Sequence, residues 1–159
     1  MKLVILAAAA SLAASPALAA PMSAGEYVMT AGASDLYERT SSQVVLETTK
    51  DARVRDFARM MLTAHADSTA QVKAAAQRAG LKPPPPMLTP LQMEMIAQLR
   101  AERGPARDAA YVAQQKIAHN GALNVQKAYA MEGTAAPLRE AAGKIVPVVE
   151  AHIAMLKQM

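Results

Sequence analysis

The stretch PLREAAGKIVPVVEAHIAML, residues 137–156, decides the reading of this chain. Leu138, Ala141, Ile145, Val148, His152, Met155 and, beyond the stretch, Met159 recur three and four residues apart, which places one narrow apolar stripe along an α-helix. An upstream segment follows the same rule through Val54, Ala58, Met61, His65, Ser68, Val72, Ala75 and Ala79, and its small residues permit close approach of a second helix. Stripes this narrow are buried only against one another, so the pattern predicts a helical bundle.

Capping residues divide the rest. Ser23 and Glu26 have capping-box spacing, predicting a first helix from about Ala24 to Thr48. Asp51 caps a second helix that reaches Ala79 and stops at Gly80. Four prolines, Pro83 to Pro86, stiffen the connection that follows. Thr89 and Pro90 open a short helix to about Arg103, and Gly104 with Pro105 opens a third long one ending near Glu132. Thr134 begins the last, with Pro137 in its first turn. No strand pattern is present. The fold class is therefore all-α: a four-helix bundle with one additional short helix between the second and third long helices. The connection from Leu81 to Gly104 is long enough for either a crossover or a simple return, so the relative direction of those two helices stays open.

Lys2 followed by an apolar run from Leu3 to Ala10 that resumes through Leu12 to Ala14, then Ala17 and Ala19 as small cleavage-site residues, reads as a secretory signal over residues 1–19, leaving residues 20–159 as one domain. The run is too short to span a bilayer, which takes about 20 residues. The expected location is periplasmic or secreted. A chain without cysteine in that setting is held by packing and offers no thiolate chemistry.

The net charge of +4 is dispersed along the chain. One Phe, four Tyr and no Trp provide no base-stacking platform, which excludes nucleic acid as a partner. Lys50, Arg53, Arg55 and Arg59 leave an anionic lipid surface or an envelope protein open as partners, although Asp51 and Asp56 interrupt the cluster. The 11 methionines are not spaced to face one way, so they read as core filler rather than as a copper store. Ser34, Ser41, Ser42 and Ser68 lie within helices, the glycines sit singly, and neither a nucleophilic triad nor a phosphate loop is assembled. No catalytic residue is assigned.

The three histidines, His65, His119 and His152, each fall within the apolar stripe of a different long helix. Imidazoles facing one another inside a bundle are how such folds build metal sites. Glu38 on the first helix is the carboxylate placed to join them. A di-iron site is disfavoured, since the positions three residues before the histidines are Leu62, Lys116 and Val149 rather than Glu. The alternative is that each ring is a structural group hydrogen-bonded to a neighbour, with Ser68 and Asn120 as candidates. Pro147, four residues after Gly143, predicts a bend one turn before His152.

The segments SDLYERTSSQVVLETTKDARVRDFARMMLTAHADS (34–68), AAYVAQQKIAHNGALNVQKAYA (109–130) and PLREAAGKIVPVVEAHIAML resemble the domain of unknown function 4142 family, from about Gly25 to Leu156. The resemblance implies an exported, ferritin-like helical bundle in which Glu38, His65, His119 and His152 are recurrent polar core positions and Pro147 is a family feature. The family's Asp before each of the first two histidines is replaced here by Ala64 and Ala118, which removes two potential ligands or ligand partners. Two functions follow as expectations. One is a non-enzymatic envelope protein with structural or pH-responsive histidines. The other is a metal-binding protein holding a single transition-metal ion between Glu38, His65, His119 and His152.

Overall fold

The computed structural model describes residues 20–159; the secretory signal assigned to residues 1–19 lies outside the described residues. The described residues form five helices and no strand: α1 (Ala24–Leu46), α2 (Ala52–Arg78), α3 (Pro90–Ala101), α4 (Gly104–Glu132) and α5 (Ala136–Leu156).

Local rules account for most of the helix ends. The Ser23 hydroxyl accepts from the Glu26 amide while Glu26 accepts from the Ser23 amide, closing the capping box of α1. Asp51 accepts from the amides of Arg53 and Val54 at 2.8 and 3.3 Å. Thr89 and Gln92 form a second capping box at α3, with Pro90 in the first turn. Gly80, at φ 72°, ends α2: its amide bonds the Gln77 carbonyl, and the Leu81 amide bonds that of Ala76. This reversal needs the left-handed conformation, which glycine adopts without steric cost. Three ends depart from expectation, one of them that of α3, which stops at Ala101 rather than near Arg103. α1 stops at Leu46, two residues early, and α5 is capped at Ala135 without a side-chain bond, because the Thr134 hydroxyl is engaged by the Ala24 amide at 3.1 Å.

The buried apolar residues separate into two clusters. One joins the start of α1 (Tyr27, Ala31), the end of α2 (Val72, Ala75), the end of α4 (Tyr129) and the first half of α5 (Leu138, Ile145). The other joins the end of α1 (Val44, Val45), the start of α2 (Phe57, Met61), α3 (Leu99), the start of α4 (Tyr111) and the end of α5 (Leu156). Each of the four long helices thus runs from one cluster to the other, whereas α3 joins only the second, and these memberships fix directions. α1 and α5 point one way, α2 and α4 the other. Contacts run from α1 to α2, α2 to α5, α5 to α4 and α4 back to α1, so every neighbouring pair in the ring is antiparallel. Because α2 and α4 are parallel, the connection between them crosses the length of the molecule. Pro86 lies against α1 at Gly32, where an added Cβ would come within 3.1 Å of the proline, and α3 packs on α1 and α4.

The stripe of α5 differs from its sequence reading in its second half. Val149 and Leu156 are buried, whereas Val148 is 42% exposed and Met155 38%. The buried row is Leu138, Ala141, Ile145, Val149, His152 and Leu156. Both rows obey three-and-four spacing, and the neighbouring helices select between them.

Candidate metal centre

Polar side chains occupy the level between the two apolar clusters. α1 contributes Asp35 and Glu38, α2 His65, α4 Gln115 and His119, and α5 His152, all buried. The three imidazoles converge. Their ring centroids are 6.0 Å apart for His65 with His119, 6.0 Å for His65 with His152 and 5.4 Å for His119 with His152. One nitrogen from each ring lies within 4.8 Å of the other two. The edge of Phe57 closes the cluster on one side, 6.2 Å from the His119 ring and 6.5 Å from that of His152.

Hydrogen bonding distinguishes the two nitrogens of each ring. His119 Nδ1 is 2.9 Å from the Gln115 carbonyl oxygen. A carbonyl only accepts, so this nitrogen carries the hydrogen and Nε2 keeps its lone pair. His65 Nδ1 is 2.7 Å from Asp35 Oδ1. The buried nitrogens left without a protein partner are His65 Nε2, His119 Nε2 and His152 Nδ1. Both oxygens of Glu38 are also buried and unpartnered. Glu38 Oε1 comes to 3.6 Å from His119 Nδ1, beyond hydrogen-bond length, and Glu38 is not among the residues of the 4.8 Å group. Ser68 and Asn120 do not bond the rings: the Ser68 hydroxyl donates to Asp35, and the Asn120 amide to the Lys116 carbonyl.

Electrostatics follow from burial. Loss of solvent pushes the Glu38 carboxyl up to about 7, against the opposing pull of His65. Burial lowers His119 to about 3 and His152 to about 4, with His65 adding to both shifts. Burial also acts to lower His65, but the Asp35 hydrogen bond and the charges of Glu38 and Asp35 outweigh it and raise that ring. His119 and His152 are therefore neutral at physiological pH, the form in which imidazole binds a metal.

All four sequence-predicted site residues are buried at this level. The structure brings the three histidines into one group and stands Glu38 beside it. Asp35 and the Gln115 carbonyl were not anticipated. Asp35 is three residues before Glu38 and so shares its helical face, a spacing that could have revealed it. A backbone carbonyl carries no sequence signal. The basic cluster sits at the start of α2, where Arg53 is 3.8 Å from Asp51. Among the described residues, no helix is long and apolar enough to cross a membrane.

An all-helical protein with a buried histidine cluster between two apolar layers is the class that these features define. The chain belongs to the DUF4142 family, a domain of unknown function, whose model matches residues 7–159. No curated protein matches it. Two solved structures share its fold. A DUF305 fragment from Deinococcus radiodurans is 17% identical, with a TM-score of 0.72 over 85% of this chain and 93% of that one. A second, from Streptomyces coelicolor, named "putative secreted protein DUF305", is 18% identical, with a TM-score of 0.66 over 84% of this chain and 88% of that one.

Proposed function

We propose that the chain is an exported, ferritin-like four-helix bundle that binds one divalent transition-metal ion through His65, His119 and His152. The supporting observation is the convergence of three buried imidazoles, one nitrogen of each within 4.8 Å of the other two, on rings that each carry a buried nitrogen without a protein partner. An unsatisfied buried polar atom costs about 1–3 kcal/mol, and one ion would satisfy all three together. Nitrogens around a tetrahedral ion with bonds near 2.0–2.1 Å sit about 3.4 Å apart, so the rings close inward by roughly 1 Å on binding. Glu38, which stands beside the group, would complete the set by turning its carboxylate and would offset part of the added charge.

Three imidazoles with one carboxylate and no sulfur suit zinc, copper(II), nickel or iron(II) rather than copper(I), calcium or magnesium. Glu38 and His119 are each 1% exposed, a degree of enclosure that suits retention of an ion better than turnover of a substrate. Export rests on the leader-like residues 1–19, with support from the name of the Streptomyces coelicolor fold neighbour. The test is zinc and copper(II) titration of tag-free protein against a competing chelator. One equivalent per chain is expected, lost in His65→Ala and His152→Ala, with a higher melting temperature for the loaded protein. No uptake, and a melting temperature unmoved by metal, rejects the proposal.

A second reading, a non-enzymatic envelope protein with pH-responsive histidines, is favoured by one contact, the 2.7 Å pairing of His65 with Asp35. It accounts for His65 alone and leaves the three facing nitrogens unexplained.

A further inference from the structure

We propose that Asp35 is the positioning residue of this centre: it locks His65 with the hydrogen on Nδ1 and so turns the Nε2 lone pair toward the ion. The inference rests on the metal reading above and adds a residue and a binding mode to it.

Asp35 lies on α1 and is 8% exposed. Its Oδ1 is 2.7 Å from His65 Nδ1 and 3.0 Å from the Ser68 hydroxyl. Its Oδ2 is 2.9 Å from the same hydroxyl and 2.8 Å from that of Thr69. The imidazole and the Ser68 hydroxyl donate to this carboxylate, and the Thr69 hydroxyl shares its one hydrogen between Oδ2 and the His65 carbonyl, surroundings that suit the ionised, acceptor-only form and leave the hydrogen on the imidazole. Ser68 and Thr69 stand three and four residues after His65 on α2, so one helical turn carries both the ring and the hydroxyls that hold its carboxylate. Thr69 also lies 2.7 Å from the His65 carbonyl, which ties that turn together.

A carboxylate on the far nitrogen of a metal-binding histidine fixes its tautomer and makes the ligand nitrogen more basic. The other two rings are held differently. His119 is fixed by a neutral carbonyl and presents Nε2, and His152 presents Nδ1. An ion at this level would be met by Nε2 of His65 and of His119, with the buried Nδ1 of His152 as the third donor, and only the His65 ring is hydrogen-bonded to a charged group. Asp35 reaches the site from α1, the neighbour of the helix that carries His65, and thereby supplies a carboxylate partner although Ala64 and Ala118 precede the first two histidines.

Long-range proton–nitrogen spectra of the imidazoles, recorded on metal-free protein above pH 8, test this together with zinc affinity. In the wild type, His65 and His119 are both expected as the Nδ1–H tautomer. In Asp35→Asn, His65 alone should lose that preference while His119 keeps it, and zinc affinity should fall by about 10–100-fold. A general loss of structure would disturb both rings. A wild-type His65 protonated on Nε2, or an Asp35→Asn variant that binds zinc as tightly as wild type, overturns the inference. Should Asp35→Asn fail to fold, the wild-type His65 tautomer decides alone. No zinc uptake by a wild type whose His65 is locked on Nδ1–H overturns the metal reading and upholds the lock.

Discussion

His119 and His152 resist protonation because their rings have exchanged water for apolar neighbours and for one another, and this resistance has a sign. Above pH 6.5 both rings are neutral whether the chain is folded or not, and they cost nothing. Below 6.5 the unfolded chain takes up protons that the folded rings, lowered to about 3 and about 4, refuse, so acid favours unfolding. Glu38 acts in the opposite sense. Its folded carboxyl keeps a proton to about 7 while an unfolded one releases it near 4.5, so its contribution is present in acid and lost as the pH rises through that interval. His65, raised by Asp35, is charged in both states over most of the window. Two imidazoles against one carboxyl leave about one proton in favour of the unfolded chain between pH 4.5 and 6.5. Metal-free protein should therefore lose stability on acidification in that range, on the order of 1 kcal/mol for each pH unit. Urea midpoints at three pH values would measure the slope, and His119→Gln should flatten it. A profile that rises toward acid contradicts the account.

At the scale of helices, Arg107 joins elements that the sequence leaves separate. It stands in the first turn of α4 and is 3% exposed. Its Nε donates to the Glu102 carbonyl at 2.8 Å, and its Nη1 to the Val44 carbonyl at 3.0 Å and the Thr48 hydroxyl at 3.1 Å. One guanidinium thus satisfies carbonyls at the C-terminal ends of both α1 and α3, where the helix dipoles also favour a cation. Arg107→Met, similar in length and apolar, should lower stability by about 2–4 kcal/mol in urea unfolding, because these groups would remain buried without a donor. A loss below about 0.5 kcal/mol would show that the contacts are dispensable. Helix starts were legible because a cap is a local event: Ser23 with Glu26, Asp51, and Thr89 with Pro90 each act within one turn. The buried row of α5 was not. After Ile145, Val148 and Val149 fit the period equally, and only the packing of α2 and α4 determines that Val149 turns inward. Pro147 lies inside α5 on the exposed side, and the helix continues through it from Ala136 to Leu156.

Across the whole molecule, two apolar clusters stabilise the ends of the helices and enclose a polar level between them. That level gathers residues from four helices that are distant in the chain, Glu38, His65, His119 and His152, and all four stood out in the sequence as polar groups in or beside apolar stripes. Their partners did not. The contact between Asp35 and His65 depends on the register of α1 against α2, and the parallel course of α2 and α4 depends on a connection whose length permits either direction. The central claim is that the three facing nitrogens hold a single ion. X-ray absorption at the zinc edge, on tag-free protein loaded with one equivalent of zinc and then desalted, measures this directly. Zinc retained with three imidazole scatterers at about 2.0 Å is the expected result. Zinc lost on desalting, or retained with oxygen ligands and no imidazole, would contradict it.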